Sequence, residues 1–268
     1  MKYVAFLDIL GFKASLKKMS QSDAKKYIEK FSSTIYSAFI GYSDIEGFVV
    51  SDSLLLYTKD DKPGSLSRLL ELTRSICEAE FTDNGILLRG AIAKGEFDYI
   101  PGIELSSLRK QLIVGQAYVE AYMLESSVKT IGVILSESVY KDIIDNGISI
   151  TTTEEVIDKD SYYVFIYLTI DFLFQEVNLR QFVSKAEDAK WLPHYYNALA
   201  FTLKGARGKK VESAFDSIIN TISRGKPTEY WKEIDIFIEN AYATDVIATF
   251  KQRLSKYLRE KMFSMTGK

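Results

Sequence analysis

The sequence predicts an α+β fold in which one mainly antiparallel sheet carries helices on one face, and three observations lead there. Apolar runs at 3–9, 48–57, 86–97 and 131–135 are bounded by glycine, serine or aspartate and read as strands. Between them, apolar residues recur at helical spacing. The resulting order is strand, helix, two strands, helix, strand, helix, strand, and its simplest packed form is a ferredoxin-like core.

The first run ends at Gly11, which suits a strand followed by a tight turn, and its apolar residues predict burial on both faces. The first helix is marked by Ala24, Tyr27, Ile28, Phe31, Ile35 and Phe39, and Ser20 with Asp23 three residues later forms a capping-box-like start. Ser51-Asp52-Ser53 breaks the run 48–57 and predicts a hairpin with Asp52 at its tip. After a surface turn at 59–64, Leu66, Leu69, Leu70, Thr73, Cys77 and Phe81 mark a second helix. Gly115 precedes a third, carrying Ala117, Ala121 and Leu124. The stretch 162–174 is expected to add an edge strand, and beyond Glu176 the pattern is helical, so two regions are expected, 1–175 and 176–268.

Composition narrows the function. At 268 residues with 47% apolar and 26% charged residues, the chain is an ordinary globular protein with room for about two units. Thirty-four basic residues against thirty-six acidic ones give a net charge of −2, so no global field favours nucleic acid or an anionic membrane. One cysteine, Cys77, forbids an internal disulfide or a cysteine zinc cluster, and one histidine, His194, limits imidazole chemistry. Asp8 interrupts the N-terminal apolar run too early for a signal peptide, and 162–174 is shorter than the ~20 apolar residues of a membrane helix. A cytoplasmic protein without a nucleic-acid or membrane partner is expected.

No dinucleotide fingerprint, phosphate loop or nucleophile elbow is present. The informative residues are two aspartates. Asp8 ends an apolar strand, where a charge needs hydrogen-bond donors or a cation, and Asp52 sits on the hairpin. In a ferredoxin-like core the first strand is expected beside the strand leading into the hairpin, so the two carboxylates converge. With a backbone carbonyl such as that of Ile9, they suit Mg²⁺ or Mn²⁺, which take hard oxygen ligands and bridge to phosphates. The turn at Gly11 and Phe12 offers backbone amides to a polyphosphate.

Taken in order, Phe6-Leu-Asp-Ile-Leu-Gly-Phe12, Val50-Ser-Asp-Ser53, Leu88-Arg-Gly-Ala-Ile-Ala-Lys-Gly95, Gly115-Gln-Ala-Tyr-Val-Glu-Ala-Tyr-Met-Leu-Glu125 and Val133-Ile-Leu-Ser-Glu-Ser138 resemble the successive motifs of class III nucleotidyl cyclases. The resemblance covers roughly the first 145 residues. It implies that Asp8 and Asp52 bind two metal ions with the Ile9 carbonyl, that the substrate is a nucleoside triphosphate, and that the enzyme is a homodimer with shared sites. Where adenylate-forming members have a lysine and an aspartate that read the base, this chain has Phe48 and Leu112; where the family has a transition-state asparagine and arginine, it has Val119 and Met123. Arg89, Lys94 and Lys110 are the candidate replacement cations.

The short start, the Ser-Asp-Ser hairpin and the Arg-Gly-Ala strand resemble the bacterial pyrimidine cyclases of antiphage defence, which implies cyclic UMP or cyclic CMP as product and Phe48 as a wall for a small base. Two alternatives stay open. One is a non-catalytic, cyclase-like nucleotide sensor signalling through its C-terminal helices. The other is a polymerase-like palm, which would show an acidic Gly-Gly-Asp-Glu-Phe turn that this chain does not contain.

Overall fold

A computed structural model of the chain describes residues 1–101, 111–127, 131–157, 160–169 and 172. These fall in two compact units, the first made of Met1–Val128, Gly132–Ile150 and Tyr162–Tyr167. Within the second, the described residues include the strand β8 (Thr152–Ile157). The expected boundary at 175/176, the helical region 176–268, Lys110 and His194 all lie outside the described residues.

In the first unit, β1 (Lys2–Ile9) is followed by the short helix α1 (Phe12–Leu16) and by α2 (Gln21–Phe39). The expected cap is present: the Asp23 backbone N–H donates to Ser20 Oγ at 3.2 Å. β2 (Ile45–Val50) and β3 (Ser53–Thr58) form the hairpin, and α3 (Pro63–Ala79) leads through a π-helical turn at Glu80–Asn84 to β4 (Leu88–Gly95). A small hairpin of β5 (Asp98–Pro101) and β6 (Gln111–Val114) precedes α4 (Gln116–Glu125), β7 (Val133–Leu135) and α5 (Glu137–Asp145). The last strand is β9 (Asp160–Phe165), which starts before the expected 162 and ends well short of 174.

The sheet of this unit runs β2-β3-β1-β4-β7-β9. Its first four strands, with α2 and α3 as crossovers, are the expected βαββαβ core. β1 is antiparallel to both β3 and β4, β4 and β7 are parallel, and β9 returns antiparallel to β7. One expectation is corrected here: β1 pairs with β3, the strand leaving the hairpin, while β2 lies on the far side of β3.

Val4, Ala5 and Leu7 of β1 have no solvent exposure, so the central strand is covered on both sides. That coverage explains a second departure from expectation, because helices occupy both faces. Tyr3 Oη donates to Asp142 of α5 at 2.8 Å, while Phe6, pointing the other way, sets its ring 5.4 Å from Tyr122 of α4. Gly115 permits the entry into α4: at φ 151° its missing Cβ would stand 2.2 Å from the Glu96 carbonyl oxygen.

The π-helical turn holds a buried carboxyl. Glu80 Oε2 accepts from Asn84 Nδ2 at 2.9 Å, and the same amide donates to Thr34 of α2, tying two helices together. Glu80 Oε1 is buried with no hydrogen-bond partner, and burial pushes the carboxyl from its ordinary 4.5 up to about 8. Between those two values the folded state binds the extra proton, so this group lowers stability as pH rises across that window. Glu80→Gln keeps an acceptor for Asn84 and removes the charge. Melting curves at pH 5 and pH 8 should show the wild type losing on the order of 2 kcal/mol more than the variant; equal losses would mean that Glu80 does not titrate there.

Candidate functional site

The carboxyl end of β1 and the tip of the β2–β3 hairpin meet. Asp8 pairs directly with Ser53 across the β1–β3 ladder, and with Arg89 across the β1–β4 ladder. The hairpin turns on the two residues Ser51 and Asp52, with Ser51 at φ 58°. The Ile9 backbone N–H donates to the Asp52 carbonyl at 3.1 Å, which fixes the tip against the end of β1. The chain then leaves the strand through Gly11 in the left-handed region, φ 77°, where glycine is at ease.

Side-chain alternation places Val4, Phe6 and Asp8 on the α4 face of the sheet. Asp8 is mostly covered, its side chain 22% exposed, and Oδ1 accepts from Ser53 Oγ at 3.1 Å. Its other oxygen lies 3.8 Å from an Arg89 Nη, while Arg89 Nε lies 2.5 Å from Oε1 of Glu125 on α4. Burial first, and the Asp52 charge second, raise the Asp8 carboxyl above the usual carboxylate range, against the Ser53 hydrogen bond and the Arg89 charge. The two aspartates therefore repel one another within one neighbourhood. That is a costly arrangement for a fold and a useful one for a cation.

Beside this acidic point opens a cleft of about 370 Å³ lined by Phe6, Phe48, Ser53, Leu55, Tyr118 and Tyr122 among others. The Phe6 ring meets Tyr118 and Tyr122 edge-on, at 6.2 Å and 5.4 Å. Phe48, half-buried on β2, has its ring 5.8 Å from Tyr99. Such a wall takes a flat, unsaturated ring by stacking and edge contact. Ser53 links the two halves, since it lines the cleft and donates to Asp8.

The sequence-derived site residues thus separate into groups. Asp8, Asp52 and Arg89 come together, with Ile9, Gly11 and Phe12 continuing from Asp8 and Phe48 in the adjoining cleft. The Phe12 ring is engaged with Tyr27 of α2, centroids 6.2 Å apart. Lys94 does not join them. Five residues on from Arg89 it points to the opposite face, where it lies 2.8 Å from Asp142 and 3.6 Å from Asp61. Hydrogen bonds from Lys94 and Tyr3 hold the Asp142 carboxyl below its ordinary value despite burial, so Lys94 closes a structural cluster. Leu112 stands on the β5–β6 hairpin, 46% exposed, with its neighbour Ile113 turned into the cleft. Val119 and Met123 are exposed on α4. Cys77 is buried in the helical layer, where burial drives its thiol up and keeps it unreactive.

Ser53, Tyr118, Tyr122 and Glu125 are site residues that the sequence reading did not single out. A signal for Glu125 was there: with Ala117 and Ala121 it continues the buried stripe of α4 at i, i+4, i+8, and a carboxylate there needs a partner. Among the described residues no group of three or more histidine, cysteine or acidic side chains could hold a metal ion, and no helix is long and apolar enough to cross a membrane. Two carboxylates suffice for Mg²⁺ or Mn²⁺ when a substrate's phosphates complete the shell, so the donor set fits.

No family model and no curated protein matches the chain. Among solved structures, it is similar to the guanylyl cyclase domain of the RhoGC fusion protein from the aquatic fungus Blastocladiella emersonii, at 19% identity and a TM-score of 0.49, covering 61% of this chain and 93% of that one. It is also similar to the guanylate cyclase domain of RhGC from Catenaria anguillulae, at 18% identity and 0.49, covering 61% and 94%. A third is the adenylyl cyclase CyaB from P. aeruginosa, at 13% and 0.48, covering 62% and 93%. At this distance no activity, ligand or assembly transfers.

Because Asp8 is held partly buried near a like charge, its amide should make a more stable protein. Asp8→Asn is expected to raise Tm near pH 7 by roughly 2–4 °C, as substitutions that relieve strain at functional sites do. A lowered Tm would show that the Ser53 and Arg89 contacts outweigh the repulsion.

Proposed function

We propose that this chain is a nucleotidyl cyclase that binds a nucleoside triphosphate, a pyrimidine one (UTP or CTP), and forms a 3′,5′-cyclic nucleotide and pyrophosphate. The observation that carries this reading is the convergence of Asp8 and Asp52 at one end of the sheet, beside an aromatic-lined cleft of about 370 Å³. In the reaction the ribose 3′-oxygen bonds to the α-phosphorus, the bond to the pyrophosphate oxygen breaks, and the 3′-hydroxyl proton is lost. Bound Mg²⁺ or Mn²⁺ supplies the acidification of that hydroxyl and the neutralisation of the leaving phosphates.

Within this reading Asp8 and Asp52 hold two ions, with the Ile9 carbonyl as a further oxygen. The turn at Gly11 and Phe12 lies where a polyphosphate would run. Arg89 contributes fixed positive charge at the same point and stands nearest to the role of the absent family arginine. Phe48, with Tyr118 and Tyr122, walls the base by stacking, which asks for no lysine or aspartate at the base edge. A homodimer fits the exposed apolar residues Leu112, Val114, Val119, Tyr122 and Met123 on β6 and α4, which a second copy would cover. A role as a signal-producing enzyme of antiphage defence rests on the motif resemblance alone.

The non-catalytic sensor is favoured by one observation: Val119 and Met123, which replace the family's asparagine and arginine, present no group able to stabilise developing negative charge. The two readings part on turnover. Purified protein incubated with each labelled triphosphate and Mn²⁺ is expected to yield a cyclic product, and Asp8→Ala or Asp52→Ala should abolish it with the melting transition retained. Turnover in either variant would remove the metal assignment, and nucleotide binding without product in the wild type would favour the sensor. Phe48→Lys is expected to change the ranking among the four triphosphates, and an unchanged ranking would take Phe48 out of the base wall.

A further inference from the structure

The acidic point holds an arginine as well as its two aspartates. Arg89 stands directly opposite Asp8 across the β1–β4 ladder, on the same face. A guanidinium so placed ordinarily closes onto the facing carboxylate, because directly opposed side chains are within easy reach. Here it does not. Its short contact, 2.5 Å from Nε, is an ion pair with Glu125 on α4 whose geometry leaves both contacting atoms without a hydrogen bond, and its approach to Asp8 stays at 3.8 Å. Glu125 is the more deeply buried acid, its side chain 7% exposed against 22% for Asp8. A buried carboxylate needs that partner more than Asp8, which already accepts from Ser53.

We propose that Glu125 is a positioning residue that holds the Arg89 guanidinium back from Asp8, so that one Asp8 oxygen stays open to a divalent cation. This rests on the reading of Asp8 and Asp52 as a metal site and goes beyond it by assigning the residue that keeps the site from closing on its own internal cation. Freed from Glu125, Arg89 swings to its cross-strand partner and competes with the metal. Glu125 thus acts on metal affinity through Arg89, without touching the ion.

The test is a double-mutant cycle read by Mn²⁺ binding to the full chain with a non-hydrolysable UTP analogue present to complete the shell, protein-bound Mn²⁺ being followed by its water-proton relaxation enhancement and Asp8→Asn defining the site. Glu125→Gln is expected to weaken Mn²⁺ binding about tenfold or more, because a competing cation gains Asp8. Arg89→Gln is expected to tighten it, and the double variant Glu125→Gln with Arg89→Gln to return affinity to the wild-type level or above. A Glu125→Gln protein with unchanged affinity, or a loss that Arg89→Gln fails to restore, overturns the role of Glu125 while leaving the metal site standing. Absence of any Asp8-dependent binding in the wild type overturns the metal site, and this proposal with it. Should Glu125→Gln fail to fold by circular dichroism, Glu125→Asp takes its place, since it keeps the charge but is too short to hold the guanidinium: weaker Mn²⁺ binding that Arg89→Gln restores supports the proposal, and unchanged binding overturns it.

Discussion

The registers of β1 with its two antiparallel neighbours are the constraint on which the site depends. Asp8 can face Ser53 on one side and Arg89 on the other only because β1 lies between β3 and β4 with no slip in either ladder. A shift of one residue in either register would turn the partner's side chains to the other face. What prevents it is the core: Val4, Ala5 and Leu7 are wholly buried, and each fully buried aliphatic side chain of leucine size contributes about 1.5–3 kcal/mol. Packing that has nothing chemical about it therefore sets where the two aspartates and the arginine stand.

The same geometry concentrates charge where the fold would rather have none. Asp8, Asp52, Arg89 and Glu125 occupy one end of the sheet, partly covered, and among the described residues there the arginine faces three acids. A set of side chains chosen for stability alone would be apolar there, so their presence is a functional argument that needs no relative for comparison. The cluster of Lys94, Asp142, Asp61 and Tyr3 on the other face shows the contrast. It too is charged, but its donors and acceptors are matched, and it joins β1, β4 and α5 without leaving a group in want of a partner.

Much of this was legible in the chain before folding. The capping box at Ser20, the hairpin tip at Asp52 and the turn at Gly11 are local signals written in a few residues, and the βαββαβ order follows from the alternation of periods. Less was legible where the answer lay in a third dimension. Arg89 and Lys94 read alike in one strand, and only their odd spacing, taken with knowledge of which helix covers which face, sends one to the acids and the other to Asp142. Phe48 could be named, but Tyr118 and Tyr122 could not, because the closing of a cleft by α4 depends on a helix packing on the face expected to be bare. The β5–β6 hairpin, whose strands are four residues each, carried too short a pattern to declare itself.

The two-residue tip of the β2–β3 hairpin has a further bearing on how such a chain can change. Ser51 and Asp52 span the shortest connection two antiparallel strands allow, and the paired positions on both sides, Val50 with Ser53 and Asp8 with Ser53, leave no slack to absorb an added residue. Divergence at this corner is thus open in residue identity and closed in loop length. Descendants of this chain could exchange the chemistry of the corner by point substitution, yet a single inserted codon would cost them the alignment of the whole edge.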